Sequence, residues 1–473
     1  MSLGGWWDAL VLAAQWFFFA YFVAINLGYM GLNFISMAEM PKHMEQRLLD
    51  LLPRAYSPYE PPVTIVVPAY NEEATIGASV RSMLQLDYPE FEVVVVNDGS
   101  KDGTLQALQR EFSLVPYAEA YRRQIEVKPV RAIWRSTRHP NLRVIDKENG
   151  GKADALNAGI NAARYPLFCG VDADSILERV SLRRVVRPFL HDANVIASGG
   201  TVRIANGTEV RGGFLESVRL PARMLPLLQI VEYLRAFLFG RLGWTPFNAV
   251  LIISGAFGLF RRDAVVAAGG YRRDTIGEDM ELVVRLHRLH RLSGRPYRVA
   301  FLPDPICWTE APESLRILRS QRMRWQRGLS ESLMHNRALL WHPRGGAPGW
   351  LAFPFMVAFE WLGPIIEVSG YVFMTLGLLS GIISAPAFWS FMLLAIALGT
   401  MLSMSALLLE EVSFHIYKRP GDLLTLATVA VIENLGYRQL VALWRLQGLW
   451  QWAIGAKARW GEMQRVASWH KDP

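Results

Sequence analysis

The chain has 473 residues, 51% of them hydrophobic and 16 of them tryptophan, and a formal net charge of +8. Its mean hydropathy of +0.17 is higher than a soluble enzyme of this length normally carries. Basic residues flanking membrane spans account for the positive surplus without a nucleic-acid partner. The two cysteines, Cys169 and Cys307, lie too far apart for a disulfide framework or a metal-ligand spacing, and are expected to pack in strands.

Residues 10–35 form an almost unbroken apolar run, long enough for a bilayer core of about 30 Å. The first eight residues lack the basic start of a signal peptide, whereas Lys42, His43 and Arg47 follow the run. Residues 1–40 are therefore expected to be a transmembrane helix, its N-terminus outside and residue 40 onward in the cytoplasm. From Pro61 the pattern changes. Short β-branched or apolar runs predict strands at 63–67, 91–96, 142–145 and 167–171, with helices at 73–86, 104–112 and 153–163 between them. Such alternation predicts a parallel α/β sheet, whose ligands bind beyond the C-terminal ends of the strands. Pro68-Ala69-Tyr70-Asn71-Glu72, Asn97-Asp98-Gly99-Ser100 and Asp172-Ala173-Asp174 fall at those ends.

Residues 208–248 and 314–341 mix arginine with Leu, Phe and Trp at helical spacing. Both suit amphipathic helices at a membrane surface, and the first suits ordinary half-buried helices equally. Two long apolar runs follow, 350–379 and 387–409, joined by an uncharged linker expected outside. Lys418 and Arg419 bring the chain back to the cytoplasm. Residues 423–454 are apolar but contain Glu433, Asn434, Arg438 and Arg445, and are expected to form two tilted or partly re-entrant helices. The basic tail beyond Gly455 favours a cytoplasmic C-terminus.

Asp172 and Asp174 follow an apolar strand, where two carboxylates suit a hard divalent cation and, through it, a diphosphate. Asp98 is placed either to bind a base or ribose or to serve as a turn residue or cap before Gly99. Gly150-Gly151-Lys152 is not a P-loop, but a glycine-rich approach to a helix with a lysine still suits phosphate. Gly277-Glu278-Asp279 opens a helix, so its acids are either caps or, for Asp279, a general base toward an acceptor hydroxyl. Gln321-Arg322-Met323-Arg324-Trp325 sits before the membrane-grade run. Its arginines suit phosphate oxygens or lipid head groups, and its indole suits a sugar ring. Glu360 and Glu367 lie inside a membrane run and, with Glu433 and Arg438, are expected to line a polar path.

Seven elements occur in order: Val66-Val67-Pro68-Ala69-Tyr70-Asn71-Glu72, Asn97-Asp98-Gly99-Ser100, Gly150-Gly151-Lys152-Ala153-x-Ala155-Leu156-Asn157, Asp172-x-Asp174, Ser254-Gly255-Ala256, Gly277-Glu278-Asp279 and Gln321-Arg322-x-Arg324-Trp325. Together they resemble the membrane glycosyltransferases of family 2, a group that includes cellulose, chitin, hyaluronan and poly-N-acetylglucosamine synthases. The resemblance is strong over residues 60–345. It implies a GT-A fold and an inverting, Mg²⁺- or Mn²⁺-dependent transfer from a nucleotide sugar. By position it places Tyr70, Glu72, Asp98, Lys152 and Asp172 on the donor and Asp174 on the metal. Asp279 would be the base, with Glu278 beside it. Gly255, Gln321, Arg322, Arg324 and Trp325 would hold the diphosphate and the acceptor sugar. Trp460 and Arg465 are similar to a gating element of hyaluronan synthases. No domain follows the last membrane segment and no Phe-x-Val-Thr gating loop is found. Both points favour the chitin, hyaluronan or poly-N-acetylglucosamine side over bacterial cellulose synthase.

The implied organisation is a transmembrane helix at 1–40, a cytoplasmic GT-A domain at 60–310, an interface helix at 311–348, transmembrane helices at 350–455 and a cytoplasmic tail at 456–473. The expected activity is β-linked polysaccharide synthesis from a UDP-sugar with export through the same chain, in an integral membrane protein of the cytoplasmic membrane that contacts membrane lipids. The alternatives are transfer of a single sugar to a ceramide- or polyprenyl-phosphate-type lipid acceptor, and a transporter or scaffold with a degenerate transferase domain.

Overall fold

The computed structural model describes residues 3–50, 60–211 and 214–456. Helix α1 (Leu3–Asp50) runs for 48 residues, ten beyond the span expected to end at residue 40. It continues through Pro41 because Met40 is buried in the core of the domain that follows, which anchors the helix past the bilayer-length run.

The strands are β1 (Val63–Ala69), β2 (Phe91–Asn97), β3 (Leu114–Pro116), β4 (Val130–Ser136), β5 (Leu142–Lys147), β6 (Leu167–Val171), β7 (Ile176–Leu177), β8 (Val195–Ile204), β9 (Glu209–Arg211), β10 (Phe214–Ser217), β11 (Phe257–Arg261) and β12 (Arg298–Thr309). Ten of them form one sheet in the order β3-β4-β5-β2-β1-β6-β11-β8-β12-β7. β5, β2, β1 and β6 are parallel, so that Val66 lies between Val94 and Gly170. Their side chains are buried on both faces, the reason these strands are unbroken apolar runs rather than alternating ones. The expectation of an all-parallel sheet fails on both sides of this group, because β4 is antiparallel to β5 and to β3, and β11 inserts antiparallel between β6 and β8. The chain reaches β11 by a long excursion over residues 205–256 instead of a single crossover helix, so nothing forces a parallel return.

Helices α2 (Ile76–Leu84), α3 (Thr104–Phe112), α4 (Lys152–Ala162) and α5 (Ser181–His191) cover the sheet. α4 presses on β1 at Gly159, where a Cβ would come within 2.2 Å of Val66 Cγ1. The segment 208–248, expected to be helical, begins instead as the β9–β10 hairpin and turns helical only at α6 (Met224–Leu234). A π-helical turn, Arg235–Phe239, and a 3-10 stretch, Leu242–Phe247, follow. α7 (Arg262–Ala267), α8 (Glu278–Ser293) and α9 (Leu315–His335) complete the domain, α9 capped by the Ser314 hydroxyl.

Among the described residues two helices are long and apolar enough to cross a membrane, within Ala9–Glu45 and Ala385–Ser413. A third span results if the pair Pro348–Trp361 and Gly363–Leu379, bent by 41°, counts as one. The run at 350–379 is thus broken in two, with Gly363-Pro364 starting the second part because proline suits a first helical turn. Residues 423–454 form two helices as expected, Pro420–Ile432 of 13 residues and Arg438–Ala453 of 16, separated where Leu435 and Gly436 leave helical geometry.

Candidate active site

The C-terminal ends of β1, β2 and β6 face one crevice, and the loops there lock one another. Asn71 sits at φ +56°, and its backbone N–H donates to Ser100 Oγ at 3.1 Å while its Oδ1 accepts from the Lys101 N–H at 2.9 Å. The Glu72 N–H donates to Thr104 Oγ1 at 2.9 Å, and Glu72 Oε2 accepts from Thr75 Oγ1 at 2.8 Å. This leaves the Tyr70 ring 43% exposed on the crevice rim, available to stack on a flat ligand.

Asp98 has a different setting. It is only 3% exposed and accepts from Lys147 Nζ at 2.5 Å and from the backbone N–H groups of Gly150 and Gly151 at 3.0 and 2.7 Å. Lys147, fully buried, also contacts Asp154 at 2.7 Å. The Asp98 carboxylate therefore holds the glycine turn that leads into α4. Gly151 needs φ +88° there, which a side chain rarely adopts.

That turn aims Lys152 across the end of β6. Its ammonium lies 2.6 Å from Asp172 Oδ1 and 3.3 Å from Glu278 Oε1. Burial alone would lower the Lys152 pKa, but Asp172 and Glu278, with Asp279 behind them, raise it well above an ordinary lysine. Glu278 is itself buried. Burial pushes it up to about 7, against the pull of Lys152 and with the repulsion of Asp279. Asp279 Oδ2 accepts from the Gly255 N–H at 2.9 Å, and Oδ1 from the Met280 N–H at 2.8 Å. Gly255 fits there because a Cβ would meet Lys152 Nζ at 3.1 Å and Asp279 Oδ2 at 3.2 Å. Lys152, Asp172, Glu278, Asp279 and Gly255 thus form one cluster at the N-terminus of α8.

Helix α9 is brought to this cluster by bare backbone. A Cβ on Gly277 would lie 2.8 Å from Gly328 Cα, and one on Gly328 would lie 2.8 Å from Gly277 Cα. Nearly two turns earlier on α9, Arg322 is 4% exposed, donates to Glu232 Oε2 at 2.8 Å and lies 4.5 Å over the Trp325 ring. Its guanidinium is thereby engaged by α6 and holds the indole. Trp325 is 45% exposed, its ring 6.4 Å from that of Tyr233. Gln321 is buried and Arg324 half-buried on the same helix. Burial raises the Tyr233 hydroxyl above an ordinary tyrosine, with Arg322 pulling it down and Glu232 pushing it up. Trp460 and Arg465 lie outside the described residues.

Asp172 and Asp174 are the acids available to a cation at the end of β6, and no group of three metal-ligating side chains exists among the described residues. A two-carboxylate set fits a magnesium-like ion that takes its remaining oxygens from substrate phosphates and water, so the residues suit a cation bound together with a diphosphate.

Two of the acids expected along a polar path, Glu360 and Glu433, have partners across helices. Glu360 accepts from Tyr29 Oη and, at 2.8 Å, from Arg445 Nη2, and Arg445 Nε donates to Gln326 Oε1 at 2.8 Å. This group is partly open, with about a quarter of each side chain of the Glu360–Arg445 pair exposed. Glu433 is closed off between Arg235 and Ser403. Lys147, Asp154, Tyr233, Glu232 and Gly328 were not visible as site residues in the sequence, because each acts through a partner distant along the chain.

Residues 61–328 match the family described as "Glycosyltransferase like family 2". The chain is 31% identical over 277 residues to the poly-beta-1,6-N-acetyl-D-glucosamine synthase of Staphylococcus aureus (strain COL), covering 58% of this chain and 56% of that protein. The same-named enzyme of Staphylococcus epidermidis is 26% identical over 275 residues, with the same coverage. The chain therefore spans little more than half the length of these relatives. Among solved structures, the mannosyltransferase PcManGT from Pyrobaculum calidifontis, in complex with GDP-Man and Mn²⁺, superposes with a TM-score of 0.51 at 18% identity, covering 89% of this chain and 99% of that one. That likeness is one of fold.

Proposed function

The chain belongs to the family 2 glycosyltransferases, and on that premise we propose that it builds a β-linked polysaccharide from a nucleotide sugar, with UDP-N-acetylglucosamine as donor, and exports the product through its own helices. The observation that carries this reading is the cluster of Lys152, Asp172, Glu278 and Asp279, joined through the Gly277–Gly328 contact to the helix that bears the exposed indole of Trp325. The donor's nucleotide lies along the β1–β2 crevice against Tyr70 and Glu72, and its diphosphate lies between Lys152 and α9. Asp172 and Asp174 would hold Mg²⁺ or Mn²⁺ with the diphosphate oxygens, where such an ion supplies neutralisation of the charge on the leaving group. The acceptor sugar stacks on Trp325. Asp279 takes the proton of the acceptor hydroxyl, the hydroxyl oxygen attacks the anomeric carbon, and the bond from that carbon to the diphosphate oxygen breaks. Inversion turns an α-linked donor into a β-linked product.

The choice of N-acetylglucosamine is supported by the poly-N-acetylglucosamine synthases among the relatives. A polymer is supported over a lipid-linked product by the partly open polar group of Tyr29, Glu360, Arg445 and Gln326, which begins one residue from Trp325 and continues among the membrane helices. The catalytic domain is cytoplasmic, because Lys42 and Arg47 follow the first span.

The test is a donor screen on the purified full chain, measuring UDP or GDP release and product size on a gel. UDP-N-acetylglucosamine is expected to give a polymer ladder. Asp279→Asn is expected to bind donor normally and transfer nothing, and full polymerisation by that variant would overturn the base assignment. A single-sugar lipid product would transfer the reading to a lipid acceptor.

A further inference from the structure

A second cleft, of about 390 Å³, opens at the far end of α8 from the active site. One wall is the last turn of α8 and the start of β12, which bring Arg291, Arg295, Tyr297 and Arg298. The other wall is the segment Thr245, Pro246 and Asn248. The walls are tied together. Asn248 Nδ2 donates to the Tyr297 carbonyl at 2.9 Å, and Asn248 Oδ1 accepts from the Val299 N–H at 2.8 Å. Arg291 is fixed in place: its Nε donates to Tyr297 Oη at 3.1 Å, and Gly346 lies so close that a Cβ there would be 2.8 Å from the guanidinium carbon. Arg295 and Arg298 are exposed. The single acid in the lining, Asp192, is 3.9 Å from Arg298 and already accepts from the N–H and side chain of Asn194. Three guanidinium groups therefore face one occupied carboxylate.

The position of the cleft says what kind of anion reaches it. Next to its wall, a Cβ on Gly243 would come within 2.7 Å of the Leu32 carbonyl, in the first candidate span, and Trp244 packs edge-on against Phe355, at 5.4 Å, in the bent pair. On the other flank, Arg344 donates to the Leu292 carbonyl at 3.3 Å, just before that same pair begins. Phe247, Trp341, Trp350 and Leu351 stand exposed around it. Exposed tryptophans beside basic groups mark the level of lipid head groups, and guanidinium forks match phosphate oxygens.

We propose that this cleft binds the phosphate head group of an anionic phospholipid, seated between Arg291, Arg295 and Arg298 where the catalytic domain meets the membrane. The test uses purified full chain in neutral detergent, titrated with short-chain phosphatidylglycerol or phosphatidylcholine and followed by thermal shift. Phosphatidylglycerol is expected to raise Tm and phosphatidylcholine to leave it unchanged. Arg295→Gln with Arg298→Gln is expected to raise the half-saturating phosphatidylglycerol concentration about tenfold, equivalent to about 1.4 kcal/mol, with unaltered sugar transfer in neutral detergent. Arg110→Gln with Arg138→Gln, which removes equal charge from exposed positions elsewhere, is expected to keep the wild-type response. Equal response to both lipids, an unaffected cleft variant, or an equal loss in the control variant would each overturn the proposal. So would displacement of the lipid by an equal concentration of inorganic phosphate, which would make the cleft a site for free anions.

Discussion

At the scale of single residues, Glu278 and Lys147 show two ways in which a buried charge is managed. Glu278 keeps a proton to about pH 7 in the folded chain and loses it near 4.5 when unfolded, so the native state binds more protons between those values. Stability is therefore expected to fall as pH rises from about 5 through about 7, a limb that Glu278→Gln should flatten in thermal melts across that range. Lys147 is buried against Asp98 and Asp154. Lys147→Met would leave the buried Asp98 carboxylate without its cation and Asp154 with Arg273 alone, and chemical denaturation should show a loss of about 3–5 kcal/mol. The acids of the site were legible in the sequence because each follows a strand or opens a helix. The role of Asp98 was legible as a choice between ligand and turn residue, whereas its bonds from the Gly150 and Gly151 N–H groups, about fifty residues away, were not legible. Lys147 was not legible, since 49 residues separate it from Asp98.

At the scale of elements, β1, β2, β6 and α3 stood out because a strand covered on both faces is an apolar run whatever its neighbours, and an amphipathic helix keeps its period. The hairpin at 209–217 was missed because charged residues mixed with Val210, Phe214 and Leu215 satisfy a helical face over so short a length, although the Gly212-Gly213 pair suits a hairpin turn. Strand order across the sheet was beyond reach, since β6, β11 and β8 are neighbours through contacts that no local pattern encodes. Helix α9 and the helix Arg438–Ala453 meet at Gly448, where a Cβ would come within 2.6 Å of the Met323 carbonyl. Gly448→Leu should force the two apart and move Trp325 away from Tyr233. Transfer is expected to fall at least about tenfold with donor affinity kept, and radiolabelled donor binding beside a transfer assay checks the split.

At the scale of the whole molecule, the chain joins an α/β domain to helices of membrane length through contacts on α1, α6 and α9. Cys169 and Cys307 are buried in β6 and β12, so cysteines introduced elsewhere report without background from native thiols. Trp6→Cys is expected to react with a membrane-impermeant maleimide in intact cells, whereas Lys42→Cys reacts only after lysis; the opposite pattern would invert the orientation. Finally, the contact between Gly277 and Gly328 leaves no side chain to act as a cushion between the acidic start of α8 and the helix that carries the indole. A slip of α9 by one residue rise, about 1.5 Å, would pass undamped to Glu278 and Asp279. The start of α8 and the helix α9 are thus one jaw, its gap set when the chain folds.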